Sequence, residues 1–176
     1  MSNQIMKKYL IALLFLCLSI SGFSQSGRPA NELFEEAIAK AKKEKKNVFI
    51  IFTATWCTPC KYLKRGLYDP YNVQYFDNNY VILQLYSSYV DIKKGIANEG
   101  AKKLLALYDG DTTAVPYWLI VNPLKKKLHG ELDFSSDKVF LDKFISVLKK
   151  TSRLTTSELQ MIYDRFRQLG NLVPEG

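Results

Sequence analysis

The chain has 176 residues, of which 47% are hydrophobic and 24% are charged, and its formal net charge is +8. This length allows one domain with a hydrophobic core, and neither internal repeats nor a long linker divides the chain. The basic residues occur in short runs, such as Lys125–Lys127, without interleaved aromatic residues. We interpret these runs as solvated surface, and we predict no nucleic-acid partner.

The first 24 residues are typical of a secretory signal peptide. Two lysines precede an apolar run from Tyr9 to Ile20, which is short for a permanent membrane span, and small residues follow it. We expect cleavage after Ser24, with Ser21 as the alternative. The mature chain, residues 25–176, would then lie in the periplasm or, as the alternative, outside the cell. It would carry a formal charge of +6, because the two lysines are lost.

The first elements of the mature chain surround a pair of cysteines. Apolar residues recur at helical spacing from Ala30 to Lys46, and the apolar run Val48–Ala54 predicts a strand that is buried on both faces. A helix is predicted after it, ending near Tyr68. Cys57 and Cys60 lie between this strand and this helix.

A Cys-x-x-Cys at a strand-to-helix junction is a redox motif with a physical basis. Unpaired backbone N–H groups and the positive end of the helix dipole favour the thiolate form of the first cysteine. The remaining cysteine, Cys17, lies within the predicted signal peptide, so the exported chain has no framework of structural disulfides. A disulfide that closes so short a loop stabilises a fold little, which favours a functional role for the pair.

The rest of the chain continues as an α/β protein. The next apolar run, Tyr80–Tyr86, predicts a strand parallel to the first, because a helix separates the two. The other predicted elements are a possible short helix at 72–79, a helix at 92–108, strands at 117–121 and 126–132, a helix at 136–150, and a final helix after the capping box Thr155–Glu158.

The segment Phe52–Lys61, with the sequence FTATWCTPCK, resembles the active-site segment of the thioredoxin superfamily. The step Val115–Pro116 before the third strand resembles the cis-proline position of that family, and the element order matches its fold. The chain is similar to exported domains of the thiol:disulfide interchange type. The resemblance implies a thioredoxin-like α/β fold, a central mixed sheet of about four strands flanked by helices. We place its core at residues 31–150 and an extra C-terminal helical extension at residues 151–176.

The resemblance also implies a role for each cysteine. Cys57 would be the attacking thiolate, as the exposed and helix-capped sulfur. Cys60 would resolve the mixed disulfide by attacking Cys57 and releasing the reduced substrate. The redox-active Cys57–Cys60 disulfide would then be the only redox group, with no cofactor.

Other residues of the motif would support this pair. Pro59 would help to set the local geometry by fixing φ, and Trp56 would shield the sulfurs from one side, unless it is a core residue. Thr58 and Lys61 complete the supporting segment.

The step before the third strand would complete the site from a distant part of the chain. Pro116, if cis, would pack against the disulfide, whereas a trans proline would merely begin the strand. The backbone of Val115 would then be free to pair with a substrate strand. Tyr117 would flank the same groove, although either Tyr117 or Trp118 should point into the core by strand alternation.

One position departs from the family pattern. Many thioredoxins carry a buried aspartate six residues before the first cysteine, where this chain has Ile51. Because isoleucine offers no proton acceptor, we expect Cys60 to be deprotonated more slowly than in thioredoxin. The measurement is the pH dependence of mixed-disulfide resolution, which Ile51→Asp should alter; an unchanged profile would contradict the expectation.

No metal site is predicted. Two cysteines and His129, the only histidine, are too few ligands for a closed zinc site, and we interpret His129 as structural.

These features predict an exported thiol–disulfide oxidoreductase that reduces or isomerises protein disulfides. The dipeptide Thr58-Pro59 contains no histidine, the residue that stabilises the reduced form in oxidising relatives, so we favour electron flow toward the substrate. The predicted partners are protein thiols and disulfides and a membrane electron donor, and we expect a monomer. The alternatives are a disulfide-forming oxidant and a non-catalytic binding module.

Overall fold

The computed structural model describes residues 27–171. The predicted signal peptide and its cleavage site lie outside the described residues. Within them the elements are α1 (Ala30–Glu44), β1 (Asn47–Thr53), α2 (Thr58–Leu67), α3 (Val73–Asn79), β2 (Tyr80–Tyr86), α4 (Tyr89–Lys93), α5 (Ala101–Ala106), β3 (Tyr117–Val121), β4 (Lys127–Leu132), α6 (Lys138–Thr151) and α7 (Thr156–Asn171).

The four strands form one mixed sheet in the order β2-β1-β3-β4. β1 pairs in parallel with β2 and antiparallel with β3, and β3 pairs antiparallel with β4. The predicted parallel pair and the predicted mixed sheet are both confirmed. β1 is central, and its residues Val48–Thr53 are all buried, as the apolar run indicated.

Each face of the sheet is covered by its own helices. α1 and α5 pack on one face, where Leu33, Phe34 and Leu104 contact inward-facing strand residues. α2, α3, α6 and α7 pack on the other face, around a cluster of aromatic residues. Its members are Phe49, Tyr62, Phe76, Tyr80, Trp118, Phe134, Phe144 and Phe166. Full burial of one such ring contributes about 1.5–3 kcal/mol, so this face holds much of the core.

The C-terminal helix α7 packs directly on the active-site helix α2. The Tyr62 hydroxyl donates to the carbonyl oxygen of Phe166 at 2.6 Å. Arg165 forms two hydrogen bonds with the buried carboxylate of Asp69, just beyond the end of α2. The predicted capping box is present, with the Thr155 N–H donating to Glu158 at 2.7 Å. α7 therefore covers a helix on one sheet face, a role that sequence reasoning left open.

The predicted helix over 92–108 is wrong in its first half. α4 begins earlier, at Tyr89, and ends at Lys93, and α5 begins only at Ala101. Between them Gly95 and Gly100 have φ of 68° and 80°, which a continuing helix does not allow. Asn98 is buried here and accepts the N–H of Tyr86 at 2.7 Å, so the irregular chain closes the end of β2.

Three further observations concern the helices. The ambiguous segment near 72–79 is helical, as α3. On α6 the side chain of Val139 is exposed, whereas those of Leu141 and Val147 are buried. Within residues 27–171, none of the helices has the length and hydropathy needed to cross a membrane.

Candidate active site

Strand register brings three distant segments to one edge of the sheet. β1 pairs Thr53 with Tyr86 of parallel β2, and Phe52 with Tyr117 of antiparallel β3. The chain after β1, the chain after β2 and the chain before β3 therefore meet at the same edge. These segments are the loop Ala54–Cys57, called the active-site loop below, helix α4, and the Val115–Pro116 step.

Cys57 and Cys60 form a disulfide at the start of α2, with their Cα atoms 5.3 Å apart. Cys57 is the N-cap of α2, and its Sγ accepts the N–H of Cys60 at 3.1 Å. Pro59 lies in the first turn, where its missing N–H costs no helical hydrogen bond. The predicted helix cap on the first sulfur is therefore present, and it places the positive end of the helix dipole at Cys57.

Both cysteines are buried in this oxidised state, with relative exposures of 1% for Cys57 and 0% for Cys60. The expectation that Cys57 is an exposed sulfur is wrong for the disulfide form. The two cysteines form a small apolar cluster with Ala54, and Val115 packs against it from the other segment. A thiol that attacks Cys57 in this oxidised form would therefore have to displace part of this cover.

The supporting residues of the motif are all exposed. Trp56 is 57% exposed, so the alternative that it is a core residue is wrong. Thr58, Pro59 and Lys61 are also exposed, on the first turn of α2. These side chains form the accessible surface around the buried disulfide.

The Val115–Pro116 peptide bond is cis, and Pro116 is buried. Half-buried Val115 contacts the cysteine cluster. Tyr117 and Trp118 point to opposite sheet faces, as alternation requires, and both are buried because both faces are covered. A substrate contact at Tyr117, which is 6% exposed, would therefore be through its backbone.

Ile51 lies in the core and His129 is half-buried on β4, and both are apart from the cysteine cluster. Ile51 is fully buried on the face that α2 covers, so an apolar side chain occupies the position of the family's acid. The His129 ring lies 4.7 Å from that of Trp118, and desolvation lowers the pKa of His129 although Glu131 opposes the shift. Among residues 27–171, the acidic, histidine and cysteine side chains form no group that could hold a metal ion.

Sequence reasoning missed Asp91, a residue of α4. Its carboxylate is fully buried, and it accepts the N–H of Thr55 at 3.1 Å and the hydroxyl of Thr55 at 2.6 Å. The Ser88 hydroxyl donates to the same carboxylate at 2.7 Å. Ser88 followed three residues later by an acid is a helix-start pattern, but nothing in the sequence pointed to the long-range contact with Thr55.

The two buried carboxylates of the described chain both have lowered pKa values. Desolvation acts to raise the pKa of Asp91, but the hydrogen bonds from Thr55 and Ser88 outweigh it. For Asp69, the hydrogen bonds from Arg165 are the main cause. Because a lowered folded-state pKa favours the ionised native state, both groups stabilise the fold above about pH 4, and this contribution is lost as the pH falls through the lowered pKa.

The sequence model of the Thioredoxin-like family matches residues 30–123. Among solved structures, a disulphide isomerase from Xylella fastidiosa Temecula1 is 18% identical, with 86% of this chain and 95% of that chain covered and a TM-score of 0.50. The oxidised C-terminal domain of DsbD from Neisseria meningitidis is 19% identical, with 70% and 97% covered and a TM-score of 0.46. No curated protein matches this sequence. At such an identity the likeness to the Xylella structure shows a shared fold and no more.

The fold and the site together define a class. A Cys-x-x-Cys disulfide at a helix N-terminus on a thioredoxin-like fold is the redox centre of thiol–disulfide oxidoreductases, which act on protein thiols and disulfides. The chain belongs to the Thioredoxin-like family, since the match covers more than half of it.

Proposed function

We propose that this protein is an exported thiol–disulfide oxidoreductase that reduces or isomerises disulfides of cell-envelope proteins. The observation that carries the proposal is the Cys57–Cys60 disulfide at the N-terminus of α2, with Val115 of the cis-proline step packed against it. Export to the periplasm is supported by the signal-peptide pattern of residues 1–24.

In the reducing direction, the Cys57 thiolate attacks a substrate disulfide. A bond forms between Cys57 Sγ and one substrate sulfur, and the other substrate sulfur leaves as a thiolate and takes up a proton. The Cys60 thiolate then attacks Cys57 Sγ, which forms the Cys57–Cys60 disulfide and releases the second substrate thiol. Two electrons pass to the substrate, and a membrane dithiol donor restores the reduced enzyme.

The test of direction is the equilibrium of the Cys57–Cys60 pair with a glutathione redox buffer, read by mass after free thiols are trapped. We expect a potential well below that of the glutathione couple, because this chain lacks the histidine that oxidising relatives use between the cysteines. Each difference of about 30 mV changes the equilibrium constant about tenfold. A potential well above the glutathione couple would contradict the reductive role and favour a disulfide-forming oxidant or an isomerase.

Export has its own test. The full chain and a variant without residues 1–24 are expressed in a bacterium, and the periplasmic and cytosolic fractions are separated. We expect the full chain in the periplasm at its shortened mass and the truncated variant in the cytosol. Retention of the full chain in the cytosol at its full mass would contradict the proposal.

Protein substrates are supported by exposed apolar side chains near the disulfide. Besides Trp56, helix α4 exposes Tyr89 (65%), Val90 (42%) and Ile92 (55%). The hydrogen bonds between Asp91 and Thr55 hold α4 against the active-site loop. An unfolded chain that carries a disulfide has apolar side chains able to cover this surface.

We therefore predict that Ile92→Ser weakens binding of an unfolded protein disulfide. A loss of about 1 kcal/mol of apolar contact corresponds to an increase in KM of about fivefold. The rate with a small disulfide should not change. The matched control is Leu124→Ser, 82% exposed in the turn between β3 and β4, at the opposite edge of the sheet. Equal effects of the two substitutions would contradict the prediction.

A further inference from the structure

We propose that Asp91 is a positioning residue for the reaction, which holds the active-site loop so that Cys57 stays at the N-cap of α2. This inference rests on the proposed function, and its test measures how the reactivity of the Cys57 thiol depends on pH. The carboxylate lies 36 residues along the chain from Thr55, its partner in the active-site loop. The contact therefore joins two segments that only the fold brings together.

The first step of the argument is how the carboxylate is held. Asp91 is fully buried, and both of its oxygens accept hydrogen bonds from neutral donors, the N–H and hydroxyl of Thr55 and the hydroxyl of Ser88. The other buried carboxylate of residues 27–171, Asp69, is instead paired with Arg165. The charge of Lys94 also favours the ionised form of Asp91. A buried carboxylate whose direct hydrogen-bond donors are all neutral is nevertheless costly, so these hydrogen bonds need fixed geometry.

The second step is what lies on each side of the contact. Thr55 stands two residues before Cys57, and the backbone between them makes the turn in which the N–H of Cys57 donates to the oxygen of Ala54 at 3.3 Å. At the other end of the contact, the backbone oxygen of Asp91 accepts hydrogen bonds from the N–H groups of Ile96 and Ala97 at 3.1 and 3.2 Å. Asp91 is thus fixed by the α4 segment and in turn fixes the loop that leads into Cys57.

The third step is the consequence for the sulfur. Cys57 Sγ accepts the N–H of Cys60 only while Cys57 occupies the N-cap position. If the loop moves, the reduced sulfur loses part of this stabilisation, and its thiolate forms at higher pH. Loss of the Asp91 charge alone would act in the opposite direction, since a nearby negative charge disfavours a thiolate. The sign of the shift therefore separates positioning from a charge effect.

The experiment measures the alkylation rate of Cys57 against pH in the reduced full-length protein, for Asp91→Asn and Thr55→Val. Both variants remove hydrogen bonds of the contact, and Thr55→Val leaves the charge in place. We expect both profiles to shift to higher pH by about half a unit or more, so that alkylation at about pH 6 slows about threefold. Thr55→Ser keeps the hydroxyl and should retain the wild-type profile.

Asp69→Asn is the matched control, because it also removes a buried carboxylate and its hydrogen bonds beside α2. We expect it to lower stability without shifting the Cys57 profile. An unchanged profile in Asp91→Asn, or a shift to lower pH, would overturn the positioning role. If Asp91→Asn does not fold, an unchanged profile in Thr55→Val overturns it. If the profiles shift as expected but the protein reduces no protein disulfide, the positioning role stands and the proposed function fails.

Discussion

Replacing Cys57 by serine is expected to abolish disulfide exchange, whereas replacing Cys60 by serine should trap the enzyme on its substrate. The two sulfurs differ in the structure: Cys57 caps α2 and accepts a backbone N–H, while Cys60 lies in the first turn of the helix. We therefore expect only Cys57, once reduced, to form the stabilised thiolate that starts the reaction. In Cys60→Ser the mixed disulfide forms and nothing within the chain attacks it.

The measurement combines turnover with a protein disulfide and mass analysis of the trapped species. We expect turnover to fall by about 10³-fold or more in both variants, since neither completes the cycle; the effect of removing a covalent nucleophile is of this order. The Cys60→Ser protein should carry a covalent substrate adduct on Cys57. An adduct on Cys60 in Cys57→Ser, at a comparable rate, would show that the assigned roles are reversed.

The disulfide site is mostly predictable from the sequence because its parts are local or follow from strand order. Cys57 and Cys60 lie three residues apart at the start of one helix. The pairing of β1 with β2 and β3 then brings the Val115–Pro116 step to the same edge of the sheet. The predicted exposure of Cys57 is wrong because its burial depends on residues distant in the sequence, such as Val115, that pack over it in the fold.

The part of the site that sequence reasoning missed is the α4 segment. Apolar residues at helical spacing favoured one long helix, but Ile92 is exposed and Asn98 holds the end of β2 through its side chain. Gly95 and Gly100 at positive φ, together with the side chain of Asn98, thus overrode this periodicity. The contact between Asp91 and Thr55 could not be predicted from the sequence, because it forms only once the ends of β1 and β2 lie side by side.

The close contact between α2 and α7 is expected to have a large effect on the stability of the protein. The Cβ of an alanine at position 66 would lie 2.0 Å from Cε1 of Phe166, well inside van der Waals contact. The Phe166 ring has no room to move aside, because it is fully buried among Tyr62, Phe134 and Phe144. Gly66 therefore allows the two helices to approach closely.

We predict that Gly66→Ala destabilises the protein, although alanine favours a helix by about 1 kcal/mol over glycine. Overpacking costs up to about 3 kcal/mol in a core that cannot adjust, so the net loss should be about 2 kcal/mol. Phe166→Ala should cost about 3–5 kcal/mol, because it leaves a cavity between the sheet and α7. Urea unfolding of each variant measures these free energies.

The double variant separates this explanation from a general weakness of α2. If the methyl group of Gly66→Ala clashes with the Phe166 ring, it should cost nothing once that ring is gone, and the helix preference of alanine should then dominate. The double variant is therefore expected to be more stable than Phe166→Ala alone, with a coupling of about 2–3 kcal/mol between the sites. Simple additivity of the two losses would mean that Gly66 is required for another reason, and the close approach of α7 to the active-site helix would not be its cause.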